Sequence, residues 1–133
     1  MDYVCQVLET RESKKDSYRV FSLNFDYCYL EKGVFAQLTK ALTGNISLVR
    51  LILSNNHLGE EAIGPFMTML ASNLALVEVN LSGNLLEDLF GFALAACLRK
   101  NEILQIIDIS KNNMGPEGGS ELLKALGEGN DTV

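Results

Sequence analysis

Apolar residues recur along the chain in one pattern, three times over at a fixed spacing. Leu48, Leu51, Leu53 and Leu58 surround Asn56; Leu76, Val79, Leu81 and Leu86 surround Asn84; Leu104, Ile107, Ile109 and Met114 surround Asn112. Each set follows the last by 28 residues. Apolar and polar positions alternate just before each Asn, which is the period of a half-buried strand. A second series runs Leu38, Phe66, Leu94 and Leu122, each followed four residues later by Leu42, Leu70, Leu98 and Leu126. That i, i+4 spacing sets each pair on one face of a helix, pointing back at the strands. The chain therefore reads as strand, turn and return helix, repeated. A unit of this kind cannot bury its apolar face alone, so the units must stack into a solenoid.

The asparagines have a mechanical reason. A sharp turn inside a stack leaves backbone groups that water cannot reach. An amide side chain carries both donors and an acceptor, so a column of Asn56, Asn84 and Asn112 can satisfy such turns from within. One more unit fits upstream, Val20-Phe-Ser-Leu-Asn-Phe-Asp-Tyr-Cys28-Tyr-Leu30, with Cys28 in the ladder position. These stretches resemble the leucine-rich repeat, LxxLxLxxNxL, over about residues 18–128. The 28-residue spacing and helical second half are similar to the ribonuclease-inhibitor subtype, whose pattern permits Cys for Asn. The resemblance implies an α/β solenoid of about four strand–helix repeats, with a parallel concave sheet and convex helices.

Other segments refine the outline. Residues 1–17 stand outside the repeat, and Tyr3, Val4, Val7 and Leu8 suit one face of an amphipathic helix capping the first unit. Residues 129–133 read as a flexible tail. Asn45, Asn73 and Asn101 are expected to close the helices. Glu60-Glu61, Glu87-Asp88 and Glu117 complement the dipoles of the helix starts. The resemblance implies a small residue near each helix start, as at Ala62 and Gly118, so Phe90 there predicts a bulge or a displaced helix. Pro65 predicts a late or irregular start to the second helix, at the loss of one backbone bond. Pro116 suits a first helical turn. No capping unit is read after the fourth helix. Ile103, Leu123 and Ala125 would then add apolar surface at that end, allowing end-to-end self-association or a place in a longer solenoid or larger assembly.

Composition narrows the chemistry. A net charge of −6, from 17 acids and 11 bases, argues against a nucleic-acid footprint. No stretch reaches the ~20 apolar residues needed to span a bilayer, so no membrane role is expected. Three cysteines without metal or disulfide spacing suit a reducing compartment, and the expected location is cytoplasmic. The sequons at Asn45, Asn80 and Asn130 are then chance. Catalysis finds no constellation: the lone His57 sits in a turn, the acids lie on open faces, and no phosphate loop or metal-ligand spacing occurs. No enzyme activity, cofactor or metal is expected.

Strand alternation places one set of residues on the concave face: Ser22, Asn24 and Asp26; Arg50, Ile52 and Ser54; Glu78, Asn80 and Ser82; Ile106, Asp108 and Ser110. The face is polar and mildly acidic, with two isoleucines and no aromatic anchor until Tyr27. Four strands spaced ~4.8 Å apart make a groove about 15 Å along the stack. That suits part of a protein–protein interface rather than a small-molecule pocket. The expected function is a non-enzymatic interaction module, a scaffold or regulator. Relatives with this repeat include tropomodulin-like regulators of actin filaments, to which Phe92-Ala-Leu-Ala-Ala-Cys-Leu-Arg-Lys-Asn101 is similar, and Ran GTPase-activating proteins. An architectural subunit of a larger assembly is the third class.

Overall fold

The computed structural model describes residues 20–127. The expected capping helix at 1–17 and tail at 129–133 lie outside them, as do Cys5 and Asn130. Four strands alternate with four helices: β1 (Ser22–Asn24), α1 (Lys32–Thr43), β2 (Arg50–Ile52), α2 (Ile63–Ser72), β3 (Glu78–Asn80), α3 (Asp88–Leu98), β4 (Ile106–Asp108) and α4 (Pro116–Gly127). The strands form one parallel sheet in the order β1-β2-β3-β4. Its register equals the sequence period, for Leu23, Leu51, Val79 and Ile107 stand side by side. Parallel neighbours need a crossover connection, and each helix supplies one.

The core lies between sheet and helices. Leu48, Leu51, Leu53 and Leu58 are fully buried, as are Leu76, Val79, Leu81 and Leu86 from the next unit. From the helices come Leu38, Leu42, Phe66, Leu70, Leu94, Leu98 and Leu122. The two series read from the sequence are thus the two walls of one core. Leu23 and Ile107, in the outer strands, are only partly buried, since each unit is covered by its neighbours. Leu123 is exposed, but Ala125 is buried, contrary to the expectation that it adds to the surface.

The asparagine column forms as the turns require. Asn84 donates through Nδ2 to the carbonyls of Leu53 (3.0 Å), Leu81 (2.8 Å) and Ser82 (3.4 Å). Its Oδ1 accepts from the backbone N–H of Asn56 and Leu58, both at 3.0 Å. Asn56 and Asn112 repeat the arrangement, reaching Phe25 and Leu81 carbonyls one unit back. Cys28 does not join the column: it is exposed, and its thiol donates only to the Asp26 carbonyl at 3.6 Å. A thiol has neither the reach nor the second function of an amide.

A second column runs along the opposite edge. Asn73 donates to the Leu42 carbonyl at 2.7 Å and accepts from the N–H groups of Ala75 and Leu76, both at 2.8 Å. Asn101 does the same with Leu70, Ile103 and Leu104. Of the asparagines expected to close the helices, only Asn73 is the cap itself, since Gly44 and Arg99 cap α1 and α3; Asn73 and Asn101 each tie the preceding helix to their own helix-to-strand turn. The stack is therefore stitched along both edges.

The helix starts differ from unit to unit. A 3-10 turn, Glu60–Ala62, precedes α2, so that helix begins irregularly. Pro65 falls in the first turn of α2, where an N–H has no intrahelical partner, so no backbone bond is lost. The bulge expected at Phe90 does not occur, for α3 runs unbroken from Asp88. Phe90 instead turns into the core against Phe66, with ring centroids 5.7 Å apart. Close approach passes to Gly91, where a Cβ would sit 3.0 Å from the Cα of Gly118. Asp88 then reaches across the gap: its Oδ1 accepts from the N–H groups of Gly115 (2.9 Å) and Gly118 (2.8 Å), capping α4 from the preceding unit.

One position takes left-handed backbone in every unit. Tyr27, Asn55, Gly83 and Lys111, each just before the ladder residue, have φ of 53°, 56°, 67° and 53°. Only Gly adopts this left-handed region without cost.

Two outcomes follow for stability. Asn84→Ala strands several buried backbone groups and should cost ~1–3 kcal/mol per group left unpaired, more than Asn112→Ala at the less buried end. A melt of Asn84→Ala within about 0.5 kcal/mol of the parent would refute the column. Conversely, Lys111→Gly relieves an exposed left-handed residue and should raise stability by about 1 kcal/mol, read from denaturant midpoints.

Candidate functional site

The concave face is built from three columns, set by strand alternation and the 28-residue register. Ser22, Arg50, Glu78 and Ile106 form the first. Asn24, Ile52, Asn80 and Asp108 form the second. Asp26, Ser54, Ser82 and Ser110 follow where the strands end. The register thus sets every residue expected on this face in one of three columns, although Ser54 is buried there.

The columns divide in their chemistry. In the first, the Arg50 guanidinium donates from Nε to Glu78 Oε1 at 3.0 Å, with both side chains substantially open to solvent. Ile106 stands beside that pair and is 55% exposed. A solvent-facing ion pair contributes little to stability, so these residues remain available to a partner.

The second column has a local task that sequence reasoning missed. Asn24 Oδ1 accepts from the Asp26 N–H (2.8 Å), Asn80 Oδ1 from the Ser82 N–H (2.9 Å), and Asp108 Oδ1 from the Ser110 N–H (2.9 Å). Each closes an Asx turn that ends its strand. The i, i+2 spacing of Asn or Asp before Ser or Asp was the available signal. The third column is cross-linked in the first two units: Ser54 Oγ and Asn55 Nδ2 both donate to Asp26 Oδ1, at 2.7 and 2.9 Å. The bond from Asn55, then that from Ser54, holds the Asp26 carboxyl below the usual range, and Asp108 is lowered likewise by Ser110. Both stay charged at neutral pH. Ser54 is buried beneath this contact.

His57 lies against Tyr29, with ring centroids 5.1 Å apart. Cys97 is half-buried and its thiol is pushed up by that burial, which works against thiolate chemistry. Among the described residues, no group of His, Cys, Asp and Glu could hold a metal ion, and no helix is long and apolar enough to cross a membrane.

Comparison with known proteins agrees with this architecture. The family described as "Leucine Rich repeat" matches residues 100–123. No curated protein matches the chain. Among solved structures, one titled "Leiomodin-1 Actin-Binding Site 2 (ABS2)" superposes with a TM-score of 0.84 at 18% identity, covering 99% of this chain and 75% of that one. The tropomodulin C-terminal domain from Caenorhabditis elegans superposes at 0.62 with 13% identity, covering 95% and 90%. Likeness at such identities speaks for the fold. The fold is that of a leucine-rich repeat solenoid, four strand–helix units with a parallel concave sheet and convex helices.

Proposed function

We propose that the chain is a non-enzymatic interaction module, of the ribonuclease-inhibitor-like subtype, that binds another protein through its concave face in the cytoplasm. The observation that carries this is the first column: an open ion pair, Arg50–Glu78, flanked by the exposed Ile106. Charge that contributes little to the fold and an apolar side chain left in water together make the polar and apolar halves of an interface. The 28-residue period and full-length helices support the subtype. The face is too open and too polar to enclose a small molecule.

The favoured partner is an actin-type cytoskeletal protein. Two structural neighbours support this reading: one is an actin-binding site of leiomodin-1, and the other is a tropomodulin domain, of the class that the repeat resembles. The second and third columns keep the floor of the groove rigid, since Asx turns and the Asp26–Ser54–Asn55 contact fix the strand ends. A preorganised surface loses less entropy on binding.

The test is co-sedimentation with filamentous actin. Arg50→Glu with Glu78→Arg, or Ile106→Asp alone, should abolish co-sedimentation while leaving the thermal melt in place, because exposed pairs are worth ~0–1 kcal/mol. Full retention by both variants would move the site off the concave face. A parent chain that never pellets with actin would remove actin as the partner.

A further inference from the structure

The edge where the strands end carries features that neither the fold nor the concave face requires. Tyr27 and Tyr29 project there with 75% and 76% of their surface in solvent. Tyr29 lies against His57 of the next unit, which is also exposed, and Leu85 follows in the third unit at 45%. Backbone bonds show that these turns stack directly: Tyr27 donates to Ser54, Asn55 to Ser82, and Leu85 to Leu58. Tyr29, His57 and Leu85 thus hold equivalent places in three successive units, with Tyr27 two residues before Tyr29, and together they set exposed rings and a leucine along one edge.

Stability does not account for this row. Tyr27, Tyr29 and His57 all hold left-handed backbone, with φ of 53°, 52° and 57°. At the place of Tyr27 the third unit holds Gly83, and at the place of Tyr29 and His57 it holds Leu85, whose backbone is not left-handed. Bulky rings there strain the backbone and leave apolar surface in water, so both contributions oppose folding. Exposed tyrosines are, however, effective anchors for a partner, since a large rigid ring loses little freedom on contact.

The charge around the row defines what it fits. Glu31, Glu60, Glu61 and Glu87 are exposed on this same edge, because each helix starts directly after its turn. Lys32 and Lys111 are the cations there among the described residues. An aromatic row rimmed by carboxylates suits cations that can stack on rings and pair with acids, and arginine does both. We propose that this edge is a second docking surface, separate from the concave face, for a basic protein segment that combines arginines with aliphatic side chains.

The test uses fluorescence anisotropy with the full chain and a labelled peptide rich in arginine and leucine. Controls replace every arginine with glutamate, or every leucine with serine. The expected result is saturable binding of the first peptide, weakened by salt, and little binding of either control. Tyr27→Gly with Tyr29→Gly should lower affinity by about 10-fold or more, while the melting temperature stays level or rises. Glu31→Lys, Glu60→Lys and Glu87→Lys together should weaken binding and flatten its salt dependence. Arg50→Glu with Glu78→Arg should leave peptide binding unchanged, which separates this surface from the concave one whatever actin does there. Unchanged affinity in the double tyrosine variant would overturn the proposal, as would equal binding of the leucine-free peptide. Light scattering that shows a dimer of the parent, dissociated by the tyrosine substitutions, would also overturn it by making a second copy the occupant.

Discussion

Four parallel strands in register place four similar turns directly on top of one another, and a turn between two others cannot turn to water. Every N–H and C=O facing along the stack must find its partner in the next unit. The amide of Asn84 meets that demand with three donated and two accepted bonds, spanning its own turn and the one before. Leucines supply most of the burial, but they would tolerate many arrangements. The amide column fixes the register, because a unit slipped by one residue would miss every one of these bonds at once. A second column through Asn73 and Asn101 imposes the same register at the far edge.

Much of this was readable from the residues. The period, the strand and helix series, the ladder and the concave face all follow from spacing, because in a solenoid the spacing is the geometry. What escaped lies in the third dimension. Asn73 looked like a helix terminator, yet its amide works 31 residues back on the Leu42 carbonyl. Asp88 looked like an acid for its own helix dipole, yet its carboxylate caps α4. Phe90 looked too large for its place because the adjacent Gly91 had not been seen to take over the close approach. Cys28 matched the family pattern but lacked the chemistry of the column. For Asn73 and Asp88 the residue type was read correctly and the partner lay one unit away; for Phe90 and Cys28 the local pattern itself misled.

The candidate site shows the same division. All its residues fall in the register columns of the sheet, but burial and bonding then sort them. Asn24, Asn80 and Asp108 are committed to the turns, and Ser54 to Asp26. What remains without a task in the turns includes an ion pair and the exposed Ile106. Sequence alternation can say which side of a sheet a residue takes. It cannot say whether that residue is already engaged, since engagement depends on the rotamer and the neighbouring strand.

The glycine contact between α3 and α4 has a consequence for shape. A solenoid bends because helices, typically ~8–10 Å apart, need more room than strands at ~4.8 Å, and the mismatch becomes a rotation at each step. Gly91 against Gly118, locked by Asp88, lets the last two helices approach more closely than ordinary side chains permit. A side chain at Gly91 would have to push α4 away, since a Cβ there already sits 3.0 Å from the Gly118 Cα. Glu78 and Ile106 sit across that joint. A bulkier residue at Gly91 would therefore displace the helix behind the very strands that carry Glu78 and Ile106.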